Sequence, residues 1–244
     1  MHGIDDSMEL QVVSNCHDMV EGDGKAVLIA QTGSRAYGTE RSDSDYDFKG
    51  IYIADNRRLF SLRPAAQTFD RQEPHDMTIF ELAHFCKLAA KNNPTVLEIL
   101  WSDSCWDTPE GRYLRAIRPL FLSKNIAKTY GGYALSQVRK ARNGTGGSRG
   151  QDHFKREKFK LHTMRLLYAG QHALATGEIK VRLEPDEVTA LRAASQLPMD
   201  EFERAARVAW DALQATAKMS LLPAEPRYDL IDEAIFKLRM MTWS

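Results

Sequence analysis

The fold is decided by one stretch near the start of the chain, Gln31-Thr-Gly-Ser-Arg-Ala-Tyr-Gly-Thr-Glu-Arg-Ser-Asp-Ser-Asp-Tyr-Asp-Phe-Lys-Gly-Ile51. An apolar run leads into it and stops at the pair Gly33-Ser34, and ten residues later comes Asp45-Tyr-Asp47. A second apolar run follows directly. This order predicts two strands that frame a turn for phosphates and a pair of carboxylates.

The spacing of the two aspartates gives the stretch its chemistry. Residues two apart on a strand project to the same face, so Asp45 and Asp47 would present their carboxylates together if the strand starts there. Mg²⁺ prefers such oxygen ligands and often binds through one or two carboxylates and substrate phosphates. Gly33 lets backbone approach closely, while Ser34 offers a hydroxyl and an amide to phosphate oxygens.

The composition is that of a globular protein without a charge bias. The chain has 244 residues, of which 43% are hydrophobic and 27% are charged. Thirty-three basic residues balance 33 acidic ones, so the net charge gives no case for nucleic-acid binding. Any such case must come from local clusters of basic side chains.

The cysteines and the hydropathy pattern predict a location. The three cysteines, Cys16, Cys86 and Cys105, are odd in number and lack metal-type spacing, which favours a reducing cytoplasm over a disulfide framework. No basic segment leads into an apolar one at the N-terminus, and no apolar run approaches the ~20 residues of a membrane span. We therefore expect a soluble, cytoplasmic protein.

Periodicity and turn signals give the element order. A helix is expected first, then strands at 25–32 and 47–54, a turn-rich part with a short strand near 68–70, a strand at 75–80 and a helix from 81 to about 91. Beyond residue 95 the pattern becomes helical, with segments at 111–121, 123–142, 154–176, 184–195, 199–219 and 229–242. The glycine-rich stretch 143–150 is predicted to be a mobile loop.

This order predicts an α+β protein. A small mixed β-sheet with helices would form an N-terminal domain over residues 1–105, and an all-helical domain would follow over 106–244.

The motif Gly33-Ser34-x10-Asp45-x-Asp47 resembles the signature of the DNA-polymerase-β-type nucleotidyltransferase superfamily. Its fuller form, 33–51, is most similar to predicted nucleotidyltransferases that include RNA-ligase-associated proteins. The likeness covers most of residues 25–180. It continues in Asp76-Met-Thr-Ile-Phe-Glu81 and in Asn93-Pro94 with Glu98 and Leu100, and more loosely in Lys160-x-His162-x-x-Arg165-Leu-Leu.

The resemblance implies a nucleoside triphosphate substrate, with ATP favoured, and two Mg²⁺ ions, for which Mn²⁺ is an alternative. It makes Gly33 and Ser34 the phosphate contacts and Asp45 and Asp47 the metal ligands. The superfamily's third carboxylate lies on a later strand, and the sequence offers two candidates for it. Asp76 is favoured and Asp70 is the alternative.

Several charged and aromatic residues keep two interpretations. Arg35, Arg41 and Lys49 either meet phosphates or are solvated, and Tyr37 and Tyr46 either stack on a base or fill an interface. His162 and Arg165 lie on one helical face inside the basic segment 139–165, which either contacts a triphosphate or RNA backbone or is a solvated surface. Glu98 sits on an apolar segment, so if it is buried it needs a partner.

Together these features predict an enzyme that moves a nucleoside monophosphate from a triphosphate to an acceptor hydroxyl and releases pyrophosphate. RNA or tRNA is the favoured acceptor. A hydroxyl of a partner protein, as in antitoxin-like adenylylating enzymes, is the alternative. A protein that binds nucleotide or RNA without catalysis is the third possibility, against which the three candidate carboxylates speak.

Overall fold

The computed structural model describes residues 5–144 and 149–242. Its centre is a five-stranded mixed sheet in the order β3-β4-β2-β1-β5. The strands are β1 (Gly24–Thr32), β2 (Asp47–Ala54), β3 (Thr68–Arg71), β4 (Asp76–Glu81) and β5 (Ser104–Asp107). Only the β2–β4 pair is parallel among these neighbours, and the other three pairs are antiparallel. The predicted α+β fold with a small mixed sheet is confirmed.

Eleven α-helices lie within the described ranges. They are α1 (Asp6–Val20), α2 (Gly33–Tyr37), α3 (Asn56–Leu59), α4 (Leu82–Ala90), α5 (Pro94–Leu97), α6 (Pro109–Ala116), α7 (Ile126–Asn143), α8 (Arg149–Thr176), α9 (Pro185–Gln196), α10 (Met199–Met219) and α11 (Tyr228–Met241). Half of the predicted mobile loop, residues 145–148, lies outside the described residues, while Asn143 ends α7 and α8 begins at Arg149. No helix in the described part combines the length and the apolar character that a bilayer span needs.

One face of the sheet is closed by α1, and this sets which side chains remain for the other face. Val12 and Cys16 of α1 pack in one buried cluster with Phe48 and Tyr52 of β2 and with alternate residues of β4. Because side chains alternate along a strand, residues one position out of phase with this cluster project to the opposite face. Asp47 and Asp76 are two such residues, since each directly precedes a member of the cluster (Phe48 and Met77).

Strand β5 corrects the expectation that the chain is helical after residue 95. Residues Ser104–Asp107 pair antiparallel with β1, with Leu28 opposite Asp107 and Ile29 opposite Trp106. The strand has four residues and no alternating pattern of its own, so its conformation is set by the partner strand rather than by local propensity. Cys105 and Trp106 extend the buried cluster from this edge.

The chain forms two compact units. The sheet-bearing unit comprises residues 5–90, 95–121 and 227–242, and the helical unit comprises Lys91–Pro94 and Leu122–Pro226. The boundaries of these units differ from the predicted division at residue 105, because α6 packs on β1 and α11 packs on α4 and on residues 118–121 of the same unit. In α11, Arg239 donates a 2.7 Å hydrogen bond to the largely buried carboxylate of Glu81 at the end of β4. The division into folding domains at residue 105 stays a prediction.

Candidate active site

The turn after β1 brings backbone against a carboxylate. Gly33 has a φ of +72°, a left-handed conformation that glycine adopts without strain. A Cβ atom built on Gly33 would overlap Oδ2 of Asp47 and would lie 2.8 Å from its Cγ. The glycine is therefore required twice, by its backbone conformation and by the space that the Asp47 carboxylate occupies.

The sheet register places the second predicted carboxylate beside the first. Asp47, the first residue of β2, is opposite Thr32 on β1 and opposite Asp76 on β4. Residues opposite each other on neighbouring strands project to the same face, and neighbouring strands lie ~4.8 Å apart. Asp47 is half-buried and Asp76 is exposed. Asp47 and Asp76, 29 residues apart in sequence, thus lie at the same end of two neighbouring strands.

The three predicted carboxylates line one cavity of about 480 Å³. Its lining within the described part of the chain is Ser44, Asp45, Tyr46, Asp47, Gln72, Pro74, His75 and Asp76. No motif in the sequence predicts that Gln72, Pro74 and His75 line this cavity. The sequence signal for them was their position directly before Asp76, because the loop that leads into β4 must lie next to the first residue of that strand.

The alternative third carboxylate, Asp70, has a different surrounding. It lies on β3 opposite Thr78, and the Thr78 hydroxyl donates a 2.8 Å hydrogen bond to its Oδ1. Asp70 is exposed and is not among the residues found around the cavity in the described structure. Register and cavity lining both favour Asp76, and the assignment itself stays a prediction.

The donor chemistry of the cavity fits a hard divalent cation. Carboxylate oxygens are the ligands that Mg²⁺ takes, and the missing side chain at Gly33 leaves the Asp47 carboxylate its place. Over residues 5–144 and 149–242, no three acidic, histidine or cysteine side chains stand close enough to enclose an ion by themselves. Mg²⁺ commonly uses only one or two carboxylates and completes its shell with waters and substrate phosphates, so a site of this kind fits these residues.

Arg35 holds the loop that carries Asp45. Its Nε and Nη2 donate hydrogen bonds of 3.0 and 2.7 Å to the carbonyl oxygen of Ser44, and its guanidinium lies 4.0 Å from the ring centroid of Tyr46. Ser44 and Tyr46 are the two neighbours of Asp45. The loop has no strand or helix of its own between residues 39 and 46, so these contacts fix a segment that backbone pairing leaves open. A contact of Arg35 with a nucleotide stays a prediction.

The two tyrosines predicted as base-stacking or interface residues have defined neighbours. Tyr46 stacks on Phe48 with ring centroids 6.4 Å apart, and His75 meets both rings edge-on. The hydroxyl of Tyr37 donates a 2.7 Å hydrogen bond to Glu98. Glu98 is 1% exposed, and Tyr37 is one partner that its burial requires.

Ser34 and Lys49 are not among the residues that line the cavity in the described structure. The backbone carbonyl of Ser34 accepts a 2.9 Å hydrogen bond from the Thr39 amide, which closes the turn after α2. Lys49 follows Asp47 by two residues on β2 and is half-buried. Their predicted phosphate contacts, like that of Gly33, are untested by this geometry.

His162 and Arg165 belong to α8 of the helical unit. Nη2 of Arg165 lies 3.4 Å from Nδ1 of His162, and because a guanidinium only donates, Nδ1 is the acceptor. Arg165 is only 3% exposed. Lys160 donates a 2.6 Å hydrogen bond to the Leu197 carbonyl, and burial lowers its pKa. A solvated helix surface therefore describes neither Arg165 nor Lys160, and the nucleotide contact of His162 and Arg165 stays a prediction.

The solved structures that resemble the chain include a nucleotidyltransferase-like protein and an adenyltransferase, both at low sequence identity. A nucleotidyltransferase-like protein from Exiguobacterium sibiricum 255-15 is 11% identical, with a TM-score of 0.31 over 87% of this chain and 75% of that chain. Spectinomycin adenyltransferase AAD(9) from Enterococcus faecialis, solved with ATP and spectinomycin, is 10% identical. Its TM-score is 0.41 over 97% of this chain and 98% of its own.

The chain is also similar to one curated protein and to one protein family. The protein YcgL of Bacillus subtilis (strain 168) is 35% identical over 81 residues, which are 32% of this chain and 31% of that relative. The match thus spans about a third of the relative's length. Residues 4–211 match the family RlaP, described as the RNA repair pathway DNA polymerase beta family. The match confirms the predicted superfamily and, with it, a protein of the nucleotidyltransferase class. The chain belongs to the RNA repair pathway DNA polymerase beta family.

Proposed function

We propose that the protein transfers a nucleoside monophosphate from a nucleoside triphosphate to an acceptor hydroxyl and releases pyrophosphate. The observation that carries this proposal is the cavity at the start of β2 and β4. There Asp45, Asp47 and Asp76 line one cavity, and Gly33 leaves space for the Asp47 carboxylate. Three carboxylates beside a backbone turn suit a substrate that brings several phosphates and divalent ions.

In this reaction the acceptor oxygen attacks the α-phosphorus, and the bond between that phosphorus and the oxygen bridging to the β-phosphate breaks. The hydroxyl proton passes to a carboxylate, for which Asp76 is the candidate, and pyrophosphate leaves. Asp45 and Asp47 would hold Mg²⁺, which neutralises charge on the attacking and leaving oxygens when bound. The residues of this chain would act mainly by positioning and by electrostatic stabilisation.

The triphosphate would enter against Gly33 and Ser34, with Arg35 keeping the Asp45 loop in place beside it. ATP is the first donor to test among the four nucleoside triphosphates. RNA, including tRNA, is the acceptor that we propose, since the family that the chain matches is described by an RNA repair pathway. The proposal includes a cytoplasmic location, which the three free thiols support.

The test incubates the purified protein with each α-labelled triphosphate, Mg²⁺ or Mn²⁺, and one acceptor at a time. The acceptors are a single-stranded RNA with a free 3′ hydroxyl, the same RNA ending in a 3′-deoxy nucleotide, and tRNA. We expect label on the RNA with the 3′ hydroxyl and none on the 3′-deoxy RNA. Transfer should fall at least about a hundredfold in Asp45→Asn and Asp47→Asn.

Other outcomes decide against parts of the proposal. Label that enters a protein from a cell extract, and no RNA, would favour the protein-modifying alternative. Binding of triphosphate without transfer to any acceptor would overturn the enzymatic proposal and favour the binding-protein alternative.

A further inference from the structure

The helical unit carries a second open cavity, of about 520 Å³, that the proposed reaction does not use. Its lining in the described part of the unit is Lys91, Asn125, Lys128, Thr129, Gly132, Tyr133 and Ser136. Five of these belong to α7 and Asn125 directly precedes it. The six recur at intervals of three and four residues, so they form one stripe along that helix. From Asn125 to Ser136 the stripe is ~16 Å long at the rise of an α-helix. We call this stripe with Lys91 the α7 groove.

The charge of the groove is of one sign. Lys91 and Lys128 are both exposed, and none of the described lining residues is acidic. The sequence of α7, Ile126–Asn143, contains four basic residues and no aspartate or glutamate, although the whole chain is neutral. Such a local excess of positive charge attracts anions, and the amide and hydroxyl groups of the lining can hydrogen-bond to them.

The loop opposite the stripe is fixed by hydrogen bonds. Asn92 has a φ of +54°, is fully buried, and accepts a 2.6 Å hydrogen bond from the Ser123 hydroxyl. The single hydroxyl hydrogen of Thr129 is shared between the carbonyl oxygen of Asn125, at 2.9 Å, and that of Lys91, at 3.2 Å. A left-handed asparagine costs free energy that the surrounding contacts must offset. These contacts fix the backbone at Lys91 beside the groove.

An aromatic ring completes the groove. Tyr133 is 38% exposed, and the side-chain amide of Asn93 donates a 3.0 Å hydrogen bond to its hydroxyl. The ring is therefore oriented while part of its surface remains open. A cationic groove with an accessible aromatic ring is the combination that single-stranded nucleic acids use, with phosphates on the cations and a base on the ring.

We propose that the α7 groove binds single-stranded nucleic acid, with Lys91 and Lys128 on phosphates and Tyr133 stacked on a base. The inference deepens the proposed function, on which it rests for its biological meaning, because it gives the acceptor strand a binding surface. Binding itself requires neither triphosphate nor metal, so it can be measured apart from transfer.

The test measures the affinity of the full chain for a fluorescent single-stranded RNA of mixed sequence by anisotropy at several salt concentrations. In Lys91→Ala with Lys128→Ala, we expect weaker binding and a shallower dependence on salt, with a slope reduced by about 1.4, since each phosphate contact on a single strand contributes about 0.7. Tyr133→Ala should weaken binding at least about fivefold, and Tyr133→Phe should retain most of it.

Matched controls separate the groove from charge in general. Lys218→Ala removes an exposed lysine from α10 of the same unit and should leave the affinity and the salt slope unchanged. Equal affinity of the parent and the groove variants would overturn the proposal, as would absence of RNA binding at low salt or tighter binding of duplex than of single strands. If RNA binds in the groove but no nucleotide is transferred to any acceptor, the groove stands and the proposed function fails.

Discussion

The carboxylate of Asp47 lies in the space that a side chain on Gly33 would occupy. Two features of the sequence motif, its glycine and its second aspartate, are therefore one structural requirement. The spacing that joins them in sequence is the length of chain that leaves β1, passes through α2 and returns to pair with β1 as β2.

Gly33→Ala should leave the fold in place and reduce nucleotide transfer at least about a hundredfold, because displacement of a reacting or ligand group by ~1 Å costs about that much. The matched control is Gly22→Ala. Gly22 has a φ of +76° and no atom near the position of a new Cβ, so this variant incurs the same backbone strain without the clash. Transfer measured with labelled triphosphate should be near normal in Gly22→Ala. Equal activities of the two variants would contradict the prediction.

Asp76→Asn should reduce transfer about a hundredfold or more, as expected for a carboxylate that takes part in proton transfer. Asp70→Asn should cost little, because Asp70 hydrogen-bonds Thr78 and stands away from the cavity lining as described. The measurement is the single-turnover rate at saturating triphosphate. A large loss in Asp70→Asn with a small one in Asp76→Asn would reverse the assignment.

The sequence was sufficient for β1, β2 and the turn between them because their signals are local. Apolar runs are bounded by glycine, and the paired carboxylates stand at a strand start. Strand β5 could not be predicted from the sequence, because Ser104–Asp107 takes its conformation from pairing with β1 and not from a local signal. The place of Arg35 was equally hidden, because a guanidinium donates as well to the Ser44 carbonyl as to a phosphate.

Long-range contacts account for the remaining differences. Burial of Glu98 could be suspected from its apolar neighbours, but its partner Tyr37 lies 61 residues away. The last helix looks like any amphipathic helix in sequence, and its pattern gives no sign that Arg239 contacts Glu81 at the end of β4. Which of several suitable cations or hydroxyls meets a buried carboxylate is decided by packing and not by local pattern.

Arg35→Gln should raise the Mg²⁺ concentration for half-maximal transfer at least about tenfold, since groups that orient metal ligands typically change affinity by 10- to 100-fold. The rate at saturating Mg²⁺ should fall less, because Asp45 itself is retained. Arg35→Lys should be intermediate, as a lysine cannot form both hydrogen bonds to Ser44. Arg57→Ala, at an exposed arginine of α3, serves as control. A change in triphosphate affinity alone would indicate a direct nucleotide contact instead.

Arg239→Ala should lower the free energy of unfolding by about 3 kcal/mol, because it leaves the carboxylate of Glu81 largely buried without its cation. Glu81→Gln combined with Arg239→Met should recover much of the loss, since no charge then remains buried. Urea unfolding of the single and double variants measures both effects. Arg112→Ala is the control, because its pair with Asp107 is mostly exposed on the arginine side and should contribute less than about 1 kcal/mol.

The three thiols should resist alkylation in the folded protein. Burial raises the pKa of Cys16, of Cys86 and of Cys105 from 9.0 to about 12, so at pH 8.5 almost no thiolate is present to react. Iodoacetamide should label the native chain slowly and the urea-unfolded chain fast, as followed by mass spectrometry. Ser7→Cys, at an exposed position of α1, should be labelled at once in the native state. Fast native labelling of Cys16 and Cys86 would refute their burial.

The same shifts fix a sign for the pH dependence of stability. Above pH 9 the unfolded chain releases thiol protons that the folded chain still holds, so the free energy of unfolding falls as the pH rises from about 9 toward 12. The stability that the buried thiols contribute is fully present below pH 9 and is lost as the pH rises toward 12. Replacing Cys86 by Ala removes one of these groups, so the decline measured by urea unfolding at pH 9 to 10.5 should be less steep in Cys86→Ala than in the parent. An equal slope in both proteins would show that this thiol titrates alike in the folded and unfolded states.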